Sequence, residues 1–174
     1  MDIFNYSDTD YSAVLYKDFF VVYMDLIKSK LRDKNVDDTI VRLMDADTIN
    51  VNRAPLIILK RTHSPQPPTA ALLNERLNTI NDKNIINSVS YQMFNLLITS
   101  YGNTYLEAER LASLVIEAII LSSINKIRTL SEDRIIGHEF LNWSETGLVS
   151  QDTKLFASSI EIRISTMFET STVL

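Results

Sequence analysis

Alternating residues from Ser90 to Tyr101 predict a long β-strand at the centre of the fold. The even positions include Phe94, Leu96 and Ile98, and the odd positions are also largely apolar. Both sets are rich in aromatic and branched residues, which is typical of a strand that is covered on much of both faces. We therefore predict that the sheet is organised around this strand.

The hydrophobic period changes directly after this strand. Gly102-Asn103 interrupts the alternation, and glycine is able to take the positive φ of a tight turn. Thr104 and Glu107 have the spacing of a capping box, in which each side chain binds an unpaired backbone N–H. An amphipathic helix packed on the sheet is predicted to follow. Its apolar face consists of Leu111, Leu114, Val115, Ala118 and Ile119.

A second amphipathic helix is predicted near the N-terminus, from Tyr11 to Asp33, with an N-cap within Asp8–Asp10. Tyr16, Phe20 and Tyr23 lie on the flanks of its apolar side. Two interpretations remain open for these aromatic residues. They either wrap around an edge of the sheet or contact a second subunit.

Shorter apolar runs predict further strands. Pro55, which lacks a donor N–H, precedes a short buried strand at Leu56–Leu59. Gly137–Ser144 is predicted to be a strand in which Phe140 and Trp143 are large anchors.

The last strand is predicted from Lys154 to Ser171 by a clear alternation. Three connecting segments are also predicted. Thr39–Leu43 is compatible with a strand or a helical turn. Residues 125–133 are predicted to form a polar link, and residues 146–152 a turn-rich connection. The inward-facing residues of the last strand are predicted to be Phe156, Ile160, Ile162, Ile164 and Phe168.

Residues 62–84 are predicted to form a long loop or arm. Three prolines near its start exclude helix and central strand locally. A helical turn at 70–77 is compatible with the sequence and would carry Leu72, Leu73 and Leu77. Long loops inside compact domains are usually functional or disordered. Two interpretations remain open for this segment: an arm that becomes ordered on a partner, and a lid over the domain's own core.

The order of these elements predicts a single α+β domain over residues 1–174. Its sheet is expected to be mostly antiparallel, with the N-terminal helix and the central amphipathic helix packed on one face.

Composition limits the functions that are compatible with this fold. The net charge is −5, which argues against a protein that grips nucleic acid through its phosphates. The chain has no cysteine, so disulfides and thiolate metal sites are excluded. The polar, acidic N-terminus is unlike a signal peptide, and no apolar run approaches the length that spans a bilayer. We expect a soluble protein without a membrane partner.

The sequence contains few candidates for catalysis. His63 and His138 are far apart in sequence and are interpreted as structural or solvated residues. Asp45–Asp47 lacks a further ligand at calcium-loop spacing and is interpreted as a solvated turn. Glu161 and Lys154 come nearest to a carboxylate nuclease site, but their neighbours do not complete one. We predict no enzyme activity, no cofactor and no metal.

The order of elements resembles the tail-terminator, or tail-completion, proteins of tailed bacteriophages and related neck proteins. The likeness covers residues 11–170 and is one of pattern and length. It includes the N-terminal helix, the strand after Pro55, and the long strand followed by a helix with the pattern E-A-E-x-L at 107–111. The loop at 62–84 is longer than expected for that family.

The resemblance implies a virion protein, made in the host cytoplasm, that forms a ring of six subunits at the tail–neck junction. Such a ring caps the tail tube and links it to the head connector, and the DNA passes through it without specific binding. Leu72, Leu73, Leu77, Tyr16, Phe20 and Tyr23 are the candidate residues of a subunit or ring interface. Another neck ring, such as a head–tail stopper or adaptor, and a non-viral protein-interaction domain are the alternatives.

Overall fold

The computed structural model describes the backbone of residues 8–43, 54–61, 71–80, 83–131, 134–150 and 154–173. Within these ranges it describes the side chains of residues 19–43, 54–60, 93–131, 134–150 and 154–167. The helices are α1 Asp8–Asp33, α2 Tyr105–Ile120 and α3 Ile124–Leu130. The strands are β1 Val41–Leu43, β2 Leu56–Arg61, β3 Ala71–Ile80, β4 Lys83–Gly102, β5 Ile135–Trp143, β6 Gly147–Ser150 and β7 Leu155–Val173.

The strands form one sheet with the order β1-β2-β4-β7-β5. β3 also pairs with β4, and β6 also pairs with β7. Among these pairs only β1–β2 is parallel. The predicted α+β fold with a mostly antiparallel sheet is confirmed.

Two very long strands form the centre of the sheet. β4 has 20 residues and β7 has 19, whereas strands of globular proteins usually have about 3–10. They pair without interruption from Ile85 opposite Val173 to Gly102 opposite Phe156. We divide this ribbon into a core half, residues 92–102 and 156–166, and a β-extension, residues 83–91 and 167–173 together with β3. The core half is flanked by β2 and β5.

The hydrophobic core lies between the core half and the two long helices. α2 packs on both β4 and β7, and α1 packs against α2. Leu96 and Ile98 of β4 are at most 1% exposed, and so are Ile160 and Ile162 opposite them. Because each buried side chain of this size stabilises the fold by about 1.5–3 kcal/mol, this layer dominates the folding energy. Both long helices therefore pack on one face of the sheet, as predicted.

The start of α2 confirms the predicted N-cap and refines its geometry. The Thr104 hydroxyl accepts a hydrogen bond from the Glu107 N–H at 3.2 Å. The Glu107 carboxylate accepts from the Asn103 N–H at 2.6 Å, one residue before the N-cap. The predicted positive φ at Gly102 is wrong, because the described glycines all have negative φ. A Cβ at Gly102 would lie 2.5 Å from the Ala108 nitrogen, so glycine is needed for the close approach of strand and helix.

An ion pair joins the C-terminal halves of α1 and α2. The Lys30 ammonium lies 2.7 Å from the Glu117 carboxylate. The hydrogen bond and the positive charge of Lys30 lower the pKa of the Glu117 carboxyl.

Residues 71–80 correct the predicted loop and helical turn. They form β3, which pairs with β4 from Ala71 opposite Tyr91 to Ile80 opposite Lys83. Only two residues separate the strands, so β3 and β4 pair as a hairpin. Its second strand, β4, is the longest strand that the structure describes. Backbone pairing with this neighbour prevails over the weak local helical tendency.

Two further connections contain regular structure that the sequence analysis predicted as irregular. Residues 124–130 form α3 rather than a polar link. The Ser123 hydroxyl caps the start of this helix, and the helix residue Ile127 is fully buried. Residues 147–150 form β6 rather than a turn, because their backbone pairs with the start of β7.

The other predicted elements are confirmed, with changes in their bounds. α1 begins at Asp8, so the predicted cap region Asp8–Asp10 lies inside the helix. Residues 39–43 combine both alternatives, since a 3₁₀ turn at Asp38–Ile40 leads into β1. β2, β5 and β7 lie where strands were predicted. Asp45, Asp47 and His63 lie outside the described residues.

Candidate interaction surfaces

The six predicted interface residues lie in two elements, α1 and β3. Tyr16 lies in α1, and Leu72, Leu73 and Leu77 lie in β3; their side chains are outside the described ones. In β3, Leu72 is opposite Ser90 and Leu77 is opposite Ile86, while Leu73 lies at a register shift. The interface prediction for these four residues stays a prediction.

Phe20 and Tyr23 are corrections to the predicted interface. Phe20 is 8% exposed and Tyr23 is 0% exposed, and both belong to the core of this chain. The ring of Tyr23 meets that of His138 edge-on with 6.2 Å between the centroids. Of the two open interpretations, the structure favours packing against the sheet for these two residues, because β5, which carries His138, is an edge strand of the described sheet.

Burial changes the acid–base properties of this aromatic pair. It raises the pKa of the Tyr23 hydroxyl far above its usual value and lowers the pKa of the His138 imidazole. Neither the Tyr23 oxygen nor His138 Nδ1 has a hydrogen-bond partner among the described groups. Burial therefore disfavours the protonated form of the His138 imidazole.

The edge of the sheet formed by β5 and β6 exposes large apolar side chains. Phe140 is 41% exposed and Trp143 is 44% exposed, so the two predicted anchors lie at the surface. The Trp143 indole N–H donates to the Ser158 hydroxyl at 2.8 Å, which fixes the ring on the neighbouring strand. Leu148 and Val149 of β6 are also exposed. Trp and Phe are enriched at protein–protein contacts, so this edge is a candidate interaction surface.

A second apolar surface lies where α2 meets α3. Ile120, Leu121 and Ile124 are exposed there, and Leu121 keeps 72% of its side chain accessible. Tyr105 and Leu106 form a separate exposed pair in the first turn of α2. Exposed apolar residues are common singly, but clusters of this kind are typical of contact surfaces.

Several polar side chains on the sheet face opposite the helices are hydrogen-bonded to one another. The Asn95 amide donates to the Glu161 carboxylate at 3.1 Å, and the Thr99 and Ser159 hydroxyls are 2.9 Å apart. Arg163 lies 3.4 Å from Glu139 across β7 and β5. These polar groups therefore satisfy one another across the strands.

A cavity of about 370 Å³ lies between α1 and the connection from α3 to β5. We call it the α1–α3 cavity. Buried Phe19 and Val22 line it together with half-exposed Val21 and Leu130, and it also contains Asp25 and Arg134. Its volume is within the range of about 300–1,000 Å³ that is usual for binding pockets.

Among the residues that the structure describes, no group of three or more histidine, aspartate or glutamate side chains is arranged to hold a metal ion. No helix within the described ranges combines the length and the apolar character that crossing a bilayer requires. The described residues offer exposed apolar surfaces and the α1–α3 cavity.

No protein-family model matches this chain, and a search of curated proteins found no match.

Proposed function

We propose that this chain is a structural virion protein, a tail-terminator or tail-completion subunit that forms a ring at the tail–neck junction of a tailed bacteriophage. The proposal rests on the resemblance in element order, and the α+β layering is compatible with it. The ring, of six subunits, would cap the tail tube and link it to the head connector.

The β-extension is the observation that carries the proposal. A strand of 20 residues is about 66 Å long, whereas a helix of 16 residues is about 24 Å long. α2 begins where β4 ends, so it reaches back over the core half and not over residues 83–91. The part of the sheet that extends beyond α2 is long enough for one subunit to reach a neighbouring subunit.

The β-extension also offers backbone groups for such a contact. β3 pairs with β4 along one edge, and this pairing is its main contact. No other strand of the described residues pairs with its second edge, and a strand of a second chain is able to add to the N–H and C=O groups of such an edge. The residues that were predicted to reach a neighbouring subunit, at 62–84, include this strand.

The charge of the chain agrees with a channel for DNA. A net charge of −5 disfavours tight contact with phosphates. DNA would pass the ring without specific binding, and recognition would be confined to neighbouring subunits, the tail tube and the connector.

The first test is the mass of the purified protein at several concentrations, followed by negative-stain images of the same samples. The expected result is a closed ring with a central hole about as wide as a DNA duplex. The second test is co-sedimentation with assembled tail tubes. A protein that stays monomeric and does not bind tail tubes contradicts the proposal.

Deletion of residues 65–81 tests the role of the β-extension. This variant lacks β3 but keeps β4, β7 and the helices, so we expect a folded chain with a circular dichroism spectrum that retains its helical signal. Ring formation should be lost. Full rings of the deletion variant that still attach to tails would exclude a role for β3 in assembly.

Exposed apolar surfaces at the β5–β6 edge and at the α2–α3 junction also suit a protein-interaction domain outside a virus. That alternative needs neither a ring nor a tail tube. Co-sedimentation separates the two, since only the terminator proposal requires tail-tube binding. Another neck ring, such as a stopper or adaptor, would instead bind the connector.

A further inference from the structure

The β-extension has two outer edges, one on each side of β4. β3 pairs with one side of β4, and the last residues of β7 pair with the other side. β5 pairs with β7 as far as Thr166, and the Met167 N–H donates to the Arg134 carbonyl at 2.9 Å. No described strand pairs with the outer edge of β7 beyond this point, at 168–173, or with the outer edge of β3. The backbone N–H and C=O groups of both edges are therefore suited to pairing with a further strand.

The sequences of these two edges lack the residues that usually prevent strand addition. Edge strands that stay unpaired commonly carry proline or lysine. Residues 71–80 and 168–173 contain neither of them. Four of the six residues at 168–173 are aromatic or β-branched, which favours extended pairing. The composition of both edges is therefore compatible with a strand contact.

The two edges lie at the same level on either side of β4. Both pairings include residues 85–90 of β4, and Ser88 is opposite Glu75 on one side and opposite Thr170 on the other. β3 and β7 are both antiparallel to β4, so they run in the same direction. A rotation about an axis along the strands therefore brings the β7 edge of one copy beside the β3 edge of the next copy, with the two strands parallel.

We infer that the outer edge of β7, at residues 168–173, pairs in parallel with the outer edge of β3 in a second copy of this chain. The contact joins two unlike edges, so each copy is able to bind one neighbour through β3 and another through β7. Such a head-to-tail contact generates a ring when the rotation closes. This inference rests on the proposed function and deepens it, because it names the strand that adds to β3.

A single chain is unable to pair its own two edges. β4 lies between β3 and β7, so the Cα atoms of Glu75 and Thr170 are separated by two strand spacings, about 10 Å. A disulfide requires Cα atoms within about 7 Å of each other. A disulfide between β3 and residues 168–173 therefore has to join different chains.

The absence of cysteine from the sequence allows a direct test of this contact. A full-length Glu75→Cys variant is mixed with an equal amount of a variant that has a cysteine substitution at one of the positions 168–173, and the mixture is mildly oxidised. All of these positions are compared, because the tilt of strands in a closed ring sets the exact register. The mixed disulfide, identified by mass spectrometry, should be most abundant at one position and scarcer at the others.

The control for random collision of surface thiols is Leu106→Cys, at a side chain on α2 that is 74% exposed. At the preferred position the mixed disulfide with Glu75→Cys should form at least about tenfold faster than with this control. The reason is that pairing of the strands raises the effective concentration of the two thiols.

Hydrogen exchange of the unsubstituted protein provides an independent measurement. The N–H groups of a strand alternate between its two edges, and an outer N–H exchanges slowly only after it gains a partner. Exchange at alternate residues of β3 and of 168–173 should therefore slow when monomers assemble into rings. The outer edge of β5, which this contact does not involve, is the internal control and should exchange equally in both states.

The inference is overturned if no position from 168 to 173 exceeds the Leu106→Cys control. It is also overturned if disulfides between two copies of the same variant predominate, because these indicate two-fold pairing of like edges. Rings that form without this cross-link and without slower exchange would refute the contact while leaving the proposed function intact. A specific cross-link in a protein that does not bind tail tubes would support the contact and contradict the proposed function.

Discussion

The core half and the β-extension are parts of the same two strands, yet they differ in what surrounds them. In the core half, β2 and β5 extend the sheet sideways and α2 covers it, so that Leu96, Ile98, Ile160 and Ile162 are almost inaccessible. In the β-extension the flanking strand is β3, and α2 is too short to reach it. Because β4 and β7 pair without interruption, both strands continue as a regular ribbon beyond the end of α2. Stability is therefore expected to depend on the first region, and assembly on the second.

The largest change in stability is expected from a cavity in the core half. Ile162→Ala removes a side chain that is 0% exposed, so the free energy of unfolding should fall by about 2–5 kcal/mol. Chemical denaturation measures this loss. Met167→Ala, at the start of the β-extension, is the comparison and should cost clearly less, because that side chain is only part-buried. Equal losses would refute the division into two regions.

The junction of β4 and α2 should be the next most sensitive position. Gly102→Ala places a Cβ 2.5 Å from the Ala108 backbone nitrogen, so the helix has to shift. The free energy of unfolding should therefore fall by about 1–3 kcal/mol. The matched control is Gly147→Ala, where a Cβ has nothing within 4 Å. That control should stay within about 0.5 kcal/mol of the parent. A larger effect at Gly147 would contradict the proposed cause.

Loss of the cap of α2 should have a smaller effect. Thr104→Ala removes the hydroxyl that accepts from the Glu107 N–H, at a cost of about 1 kcal/mol. Thermal and chemical unfolding report the change. Thr104→Ser keeps the acceptor oxygen and should retain most of the stability, whereas equal losses in both variants would show that the methyl group matters more than the cap.

The smallest effect is expected at the buried tyrosine. Tyr23→Phe removes a hydroxyl without a hydrogen-bond partner among the described groups, so the variant should be as stable as the parent or more stable by up to about 1 kcal/mol. The pKa of Tyr23 is raised in the folded chain by burial, while the unfolded chain ionises near its usual value of about 10.

This pKa difference gives the sign of the pH dependence. The folded state binds the tyrosine proton more tightly, so this contribution to stability is complete below about pH 10 and declines as the pH rises above it. Urea titrations at increasing alkaline pH should show a steeper loss for the parent than for Tyr23→Phe. Parallel losses in both proteins would exclude Tyr23 as the source.

The strongest local patterns were sufficient to predict the central elements. The alternation of β4 and β7, the Thr104–Glu107 cap and the apolar face of α2 are each encoded within a few neighbouring residues, so their identity follows from the sequence alone. They led to the α+β fold and to the order of its long elements.

The same local patterns were insufficient for the elements that depend on a distant partner. β3 carries a weak alternation of its own and becomes a strand because β4 pairs with it. Asn81-Asp82, two turn-forming residues between two extended segments, was the available signal of a hairpin. β6 similarly depends on β7, and α3 on the burial of Ile127.

The candidate surfaces were the least predictable part of the molecule. Phe20 and Tyr23 were predicted at an interface but are buried, whereas Phe140 and Trp143 were predicted as anchors but are exposed. An aromatic residue has the same local pattern in either position, and only the packing of α1 and the place of β5 at the edge decide between them. The sequence by itself determined which segments are helices and strands wherever the period was strong. The tertiary structure decided register, burial and exposure, because these depend on contacts between residues far apart in the chain.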